Sequence, residues 1–409
     1  MSAREIVEGV VEELGHGGDG RVVGPRGALY VPSVLPGERV RVRAGGGKRP
    51  LAELLEVLEP SPARRAAPCP IAARCGGCPW MEFDEATAAE EKRAMLARAS
   101  GVAEPRLFTS ERALRYRRRA RLHFDAGRGK LGYRARRSHE IVGFERCLVL
   151  TDALERAAGL ARRVLPELTG KGELALAETL DGASLVFDSD RAEPPSAYRA
   201  LEALAAEEGV ASVALRVPGL PTPSVFGRPT ERHLGPDGLP LETPLGGFVQ
   251  AHADVNEALA RTVDEWAAPE GRRVVELFAG SGNLTVLLAR TAASILAVEG
   301  YVRAAELAEV NLRARGLSAR VLGVDAERAK LPRADVLVLD PPRRGFPELE
   351  RALDRTKPTT VVLVSCDLGS MMRELGTLRR AGFDAKEVAG FDMFPQTPHL
   401  EAVVRLEAR

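Results

Sequence analysis

Three cysteines, Cys69, Cys75 and Cys78, stand within ten residues, with Gly76 and Gly77 between the last two. Three thiolates on a tight loop, joined through folding by Cys147, suit a metal site of four sulfur ligands. Both zinc and an iron–sulfur cluster accept such a set. No histidine lies near the loop, and ligand chemistry alone leaves the two open. An odd total of five cysteines argues against a disulfide framework. The fifth, Cys366, lies apart, just past the apolar run Thr360–Val364 and before a polar turn. A lone cysteine is most often an inert apolar residue. Past the carboxyl end of a strand it can instead serve as a nucleophile, provided the thiolate is favoured.

Other groups gather around comparable turns. The stretch VVELFAGSGNLTVLLAR reads as a strand, a Gly-rich turn and a helix starting near Asn283. Gly280 and Gly282 would let the backbone approach a ligand, and the helix would offer free amides. Glu276 lies on the first strand, and Glu299 ends the next one, 23 residues later. An acid in Glu299's place suits the two hydroxyls of a ribose. The plain alternative is an ordinary strand–helix turn. A dinucleotide site is weakened because Thr285 replaces the third glycine of that fingerprint, so the expected ligand is S-adenosylmethionine. The strand Asp335–Leu339 then runs into Asp340-Pro341-Pro342-Arg343-Arg344-Gly345.

Enzymes that methylate an exocyclic amine of a nucleic-acid base carry an aromatic after such prolines, where this chain has Arg343. A cysteine beside the donor site points instead to carbon 5 of a pyrimidine. Thiolate addition at carbon 6 turns the ring into an enolate, and carbon 5 can then attack a methyl sulfonium. A base must afterwards remove the carbon 5 proton. Glu401 opens the last apolar strand in FDMFPQTPHLEAVVRLE. Taken alone it would read as a surface acid; the mechanism's need for a base singles it out.

The elements that would position these groups form three segments. Residues 1–60 have short β-rich pieces between turns such as HGGDG and VLPGE, the pattern of a small β-barrel. EPSPARRAAP reads as a linker. Residues 61–245 are mixed α and β. Residues 246–409 alternate short apolar strands with amphipathic stretches, a doubly wound α/β sheet. At 409 residues the chain exceeds one compact domain. It is 45% hydrophobic and 28% charged, which excludes disorder or coiled coil as whole-chain descriptions. No apolar run reaches the roughly 18 residues needed to cross a bilayer, and the acidic N-terminus lacks a signal peptide's apolar block, so a cytoplasmic location is expected. The net charge is only +1, yet Arg112 to Arg137 holds eleven Arg or Lys against one acid, Asp125. That stretch, interleaved with Tyr116, His123, Phe124 and Tyr133, suits phosphates and stacked bases; the bland reading is a solvated strand face.

These motifs together resemble the RNA uracil-5 methyltransferases over nearly the whole chain. HGGDG and VLPGERV resemble a TRAM domain, an RNA-binding barrel. CPIAARCGGCPW with FERCLVL resembles the family's [4Fe–4S] ligands. GGFVQAHADVN, ELFAGSGN, AVEG, LDPPRRG, VSCD and DMFPQTPHLE resemble its catalytic motifs in order. The resemblance implies Gln250, Glu299 and Asp340 as contacts of S-adenosylmethionine, with Phe248 and Asn311 at matching positions beside Glu276 and Gly280 of the turn. It implies Cys366 as nucleophile, Glu401 as base, and Cys69, Cys75, Cys78 and Cys147 as cluster ligands. Barrel and cluster together resemble the branch acting on large-subunit ribosomal RNA, with transfer RNA as the alternative substrate. A binding-only iron–sulfur protein is the alternative of another class. Three departures stand out. Asp367-Leu368 follow the cysteine where the family has Asn-Pro, and Asp367 is expected to raise the thiol pKa. His252 ends the family's Gln-x-Asn, and Ala279 replaces a common cysteine. The expected partner is single-stranded or loop RNA, bound by a monomer.

Overall fold

The computed structural model describes residues 5–24, 27–45 and 51–409. Its C-terminal sheet has eight strands in the order Arg320–Gly323, Ser294–Glu299, Arg273–Leu277, Val336–Leu339, Thr360–Ser365, Glu401–Ala408, Phe383–Phe391 and Arg106–Phe108. The first five are mutually parallel. Glu401–Ala408 runs antiparallel between Thr360–Ser365 and Phe383–Phe391. The central strands are runs of Val, Leu and Ile because both faces are covered. Leu259, Val263 and Trp266 of one helix cover one face. Met371, Leu375 and Leu378 cover the other.

Two pieces of the segment expected at 61–245 belong to this sheet. Helix Glu85–Ser100 buries Met95, Leu96 and Ala99 in the same core, and Arg106–Phe108 adds the edge strand. Most of the rest of that segment forms a seven-stranded sheet in which Arg119–Asp125 pairs with both Lys171–Thr179 and Lys130–Arg134, while Thr230–Leu234 and Pro240–Pro244 pair as a separate ribbon. Helices Asp152–Val164 and Pro195–Ala205 pack on the seven-stranded sheet through Leu154, Ala158, Ala161, Leu201 and Leu204.

The N-terminal sheet orders its strands Gly27–Val31, Gly20–Gly24, Ile6–Leu14, Arg39–Ala44 and Ala52–Glu59. A bridge between Tyr30 and Leu51 joins its ends, making a small barrel around Val11, Val22, Val31, Val40 and Val42. The stretch expected as a linker is tied down. Arg64 donates to the fully buried Glu38 at 2.5 and 2.8 Å, and also pairs with Glu82. A buried carboxylate needs such a partner. Gly18 is needed where the barrel meets the C-terminal sheet, since a Cβ there would lie 2.2 Å from Pro398. Among the described residues no helix is long and apolar enough to cross a membrane.

Candidate active site

Strand direction explains how distant residues meet. Parallel strands end at one edge of the sheet, and there the chain places Glu299, Asp340 and Cys366. The antiparallel strand starts at that same edge with Glu401. Its next residue, Ala402, pairs with Ser365, so Glu401 comes beside Cys366. Of the charged neighbours, Glu401 acts most strongly on the thiol, followed by Asp340 and Arg343.

The site is a cluster of acids with little compensation. Burial, and then Asp340, pushes Glu401 up to about 8, while Arg343 opposes this. Burial and Glu299 push Asp340 up to about 7. Burial pushes Glu276 up to about 8, with the nearby Thr285 hydroxyl opposing it and Asp340 and Glu299 adding to it. Cys366 is driven up to about 12 by burial, Glu401 and Asp340. The direction agrees with the sequence-based expectation, but its source does not. Asp367 points away as the helix N-cap, accepting from Ser370 N at 2.7 Å, a role that Asn fills equally well.

The Gly-rich turn also departs in part from expectation. Gly280 has φ +57° with open space where a Cβ would stand, which leaves its backbone approachable. Its amide donates to Glu299 Oε2 at 2.8 Å, and Tyr301 N donates to Oε1 at 2.7 Å, fixing that carboxylate. The helix that follows is only Thr285–Leu288, not a long helix from Asn283. Asn283 instead exchanges amide hydrogen bonds with Asn256. Asn311 donates to Ser281 O and Glu242 O and accepts from Glu242 N, so it ties the turn to the strand Pro240–Pro244. Gln250 is buried with Oε1 unpartnered, and Glu276 Oε2 and Glu401 Oε2 are likewise unpartnered. Sequence reasoning missed Arg118, whose Nε holds Gln250 O at 2.9 Å. It also missed Lys92, buried against Asp392 and Phe394 O. In the sequence, Arg118 is one arginine among many and Lys92 an ordinary helix lysine.

A cleft of about 620 Å³ opens where the three sheets meet, lined by Ser33, Arg119, Arg121, Arg137, Arg343 and His399 among others. Phe248, 69% exposed, lies in it beneath the Arg119 guanidinium at 5.3 Å. The basic stretch is thus divided. Arg119 and Arg121 face the cleft, whereas Arg115 pairs with Glu155 and Arg118 is spent on backbone. Beside the cleft, Cys69, Cys75, Cys78 and Cys147 line a single apolar cavity. Among the described residues no three His, Cys, Asp or Glu side chains are grouped as a metal-ion site. Burial raises the thiol pKa of Cys75 and Cys147 and pushes Cys78 up to about 12; Arg117 opposes all three.

Residues 241–409 match the sequence profile of the family described as tRNA (Uracil-5-)-methyltransferase. The 23S rRNA (uracil(1939)-C(5))-methyltransferase RlmD of Chromohalobacter salexigens is 35% identical, the alignment covering 97% of this chain and 88% of that protein. That of Pseudomonas aeruginosa is 33% identical, covering 97% and 93%. The chain belongs to the RNA uracil-5 methyltransferase family. Its fold agrees with the crystal structure of Pyrococcus abyssi tRNA (uracil-54, C5)-methyltransferase in complex with S-adenosyl-L-homocysteine. The TM-score is 0.79 at 22% identity, covering 98% of this chain and all of that one. As a uracil-5 methyltransferase, the chain holds Cys366, its carboxylates and the glycine turn at one sheet edge, and Gln250 and Arg343 line the arginine-rich cleft.

Proposed function

We propose that the chain methylates carbon 5 of a uridine in RNA, with 23S ribosomal RNA the favoured substrate, in the cytoplasm. The observation that carries this is Glu401 beside Cys366, a buried carboxyl next to a half-buried thiol. S-adenosylmethionine, when bound, supplies a methyl group on a cationic sulfonium. Gln250, Glu299 and Asp340 would hold it near the Gly280 turn, with Glu276 beneath and Asn311 ordering the loop. The residues fit such a ligand: buried acids with unpartnered Gln250 Oε1 and Glu276 Oε2 offer acceptors and negative charge to it. A cation there offsets the charge that raises Cys366 and so favours its thiolate. Cys366 Sγ then bonds carbon 6 of the uracil, and carbon 5 takes the methyl group. Glu401 removes the carbon 5 proton, the electrons of that C–H bond restore the double bond between carbons 5 and 6, and the sulfur leaves as thiolate with the electrons of its bond to carbon 6. Arg343, the cation that acts on both Cys366 and Glu401, keeps part of the carboxyl ionised for this step.

The reading extends to the N-terminal barrel as a TRAM-type RNA-binding unit, supported by Gly18 and Ser33 lining the cleft. It also assigns Cys69, Cys75, Cys78 and Cys147 to a [4Fe–4S] cluster. The four cysteines line one cavity, which supports a four-sulfur site of either kind, and the choice of the cluster over zinc follows the resemblance of CPIAARCGGCPW and FERCLVL to the family's ligand motif. Methylation needs no electron, so the cluster's part is structural. The test is transfer of labelled methyl to 23S rRNA fragments and to tRNA. Label in the ribosomal fragment as 5-methyluridine supports the reading; label in tRNA alone moves the substrate, and label in neither refutes it.

A further inference from the structure

The cysteine cavity and the arginine-lined cleft share one side chain. Arg117 lines both. Its guanidinium lies 5.8 Å from the Tyr116 ring and 5.8 Å from the Phe394 ring, and donates to Tyr116 Oη at 3.4 Å. Its Nε is buried without a partner. On the cavity side its charge favours the thiolates of Cys75, Cys78 and Cys147.

The backbone at this point belongs to the cysteine side. Arg115 N donates to Leu148 O, Arg117 N to Val149 O, and Thr151 N to Arg117 O, all in the chain just after Cys147. The side chains belong to the catalytic side. Tyr116 Oη donates to Pro395 O at 3.1 Å, and the Tyr116 ring stacks on His252 at 5.0 Å. Phe394 and Pro395 start the loop that passes through His399, in the cleft, to Glu401.

We propose that Arg117 is a positioning residue that joins the four-cysteine cavity to the loop 392–399, so that what the cysteines hold sets how firmly that loop is presented to RNA. The proposal rests on the reading of the cleft as the RNA site. The donor site's carboxylates, Glu299 and Asp340, lie at the strand ends, and Gln250, its third contact, is held through its backbone by Arg118 and not by Arg117. Arg117 therefore governs RNA engagement and not donor binding. A cationic side chain facing thiolates on one side and an aromatic ring on the other does two jobs: its charge belongs to the cavity, its contact with the Phe394 ring to the loop.

The test uses the full-length protein as purified anaerobically, with Arg117→Met and Arg117→Lys. Four quantities are read: hydrogen exchange of residues 392–399, RNA Kd, S-adenosylmethionine Kd and bound metal per chain. For Arg117→Met the expected result is roughly tenfold faster exchange in 392–399 and roughly tenfold weaker RNA binding, the scale of a desolvated cation–π contact. Donor affinity stays within twofold of the unaltered chain. Arg117→Lys keeps more metal than Arg117→Met but does not restore the loop's protection. Phe394→Ala removes the same stack from the other side and must reproduce the loop and RNA effects, which decides the matter should the arginine variants not fold. Unchanged exchange at 392–399 in Arg117→Met, or in Phe394→Ala where the arginine variants do not fold, overturns the proposal. So does a loss of protection spread evenly over the sheets. If the unaltered chain binds donor yet methylates no RNA, the functional reading fails while the exchange result still judges the linkage.

Discussion

Replacing Glu401 with Gln removes the proposed base while keeping its shape at a site only 4% exposed. The size of the effect follows from the site. With its pKa pushed up to about 8, Glu401 is roughly one-tenth ionised at pH 7 and nine-tenths at pH 9, so proton removal should speed up by close to tenfold over that range. Removing a positioned base costs about 10²–10⁴-fold. In single-turnover assays with labelled donor, the unaltered chain should release methylated RNA faster as pH rises, levelling off above about 8. Glu401→Gln should lose both the rate and this pH dependence. It should still accumulate RNA joined to protein, seen as a retarded band on denaturing gels, because Cys366 is untouched. Free release of product by Glu401→Gln with the pH profile of the unaltered chain would refute the reasoning.

Three further outcomes follow from the packing and charges. Glu276, Asp340 and Glu401 have pKa values raised to about 8, 7 and 8. They therefore favour the folded state below pH 4, where both states are protonated at these sites, and this contribution is lost as pH rises through 7 to 8. The ligand-free chain should show a falling Tm contribution from pH 5 to 8.5, and saturating S-adenosylmethionine should flatten it; a Tm that rises over that range irrespective of ligand counts against the acid cluster. Asn311→Ala removes three hydrogen bonds that hold Ser281 and Glu242, at about 1 kcal/mol each. Donor Kd measured by calorimetry should rise at least tenfold while RNA Kd stays put, and equal weakening of both would rule out a role confined to the turn. Arg64→Ala leaves Glu38 buried and unpaired, which should cost about 3–5 kcal/mol in denaturant unfolding; a loss under 1 kcal/mol would mean that the ion pair does not anchor the segment.

The sequence made the catalytic edge readable because its strands are short uninterrupted apolar runs. Arg273–Leu277 and Thr360–Ser365 stand out, and the residues proposed for the chemistry lie near or just past the ends of such strands. Phe383–Phe391 escaped notice because Asp384, Lys386 and Glu387 break its pattern, and only pairing with Glu401–Ala408 makes it a strand. Without the pairing of Glu401–Ala408 with Thr360–Ser365, nothing local tells that Glu401 arrives beside Cys366. Lys171–Thr179, with two Ala, two Glu, a Lys and a Gly in nine residues, lacks a β signature; its two neighbours in the sheet define it. The helix Glu85–Ser100 was legible as a helix, but not its membership of the C-terminal core, a matter of long-range contact. Charge was the least legible feature. The basic stretch counts as one block in sequence, yet folding spends Arg115 and Arg118 on internal partners. The acid that raises the Cys366 pKa most is Glu401, 35 residues on, and not the adjacent Asp367.

The central claim is a bond between Cys366 Sγ and carbon 6 of a uracil. It is tested most directly by incubating the chain with S-adenosylmethionine and 23S rRNA fragments containing 5-fluorouridine, then digesting and analysing the products by mass spectrometry. Fluorine in place of the carbon 5 proton leaves Glu401 nothing to remove. The account predicts a stable adduct of methylated fluorouridine on the peptide containing Cys366, absent in Cys366→Ala. Methylated RNA free of protein, or an adduct on one of the other four cysteines, would contradict it.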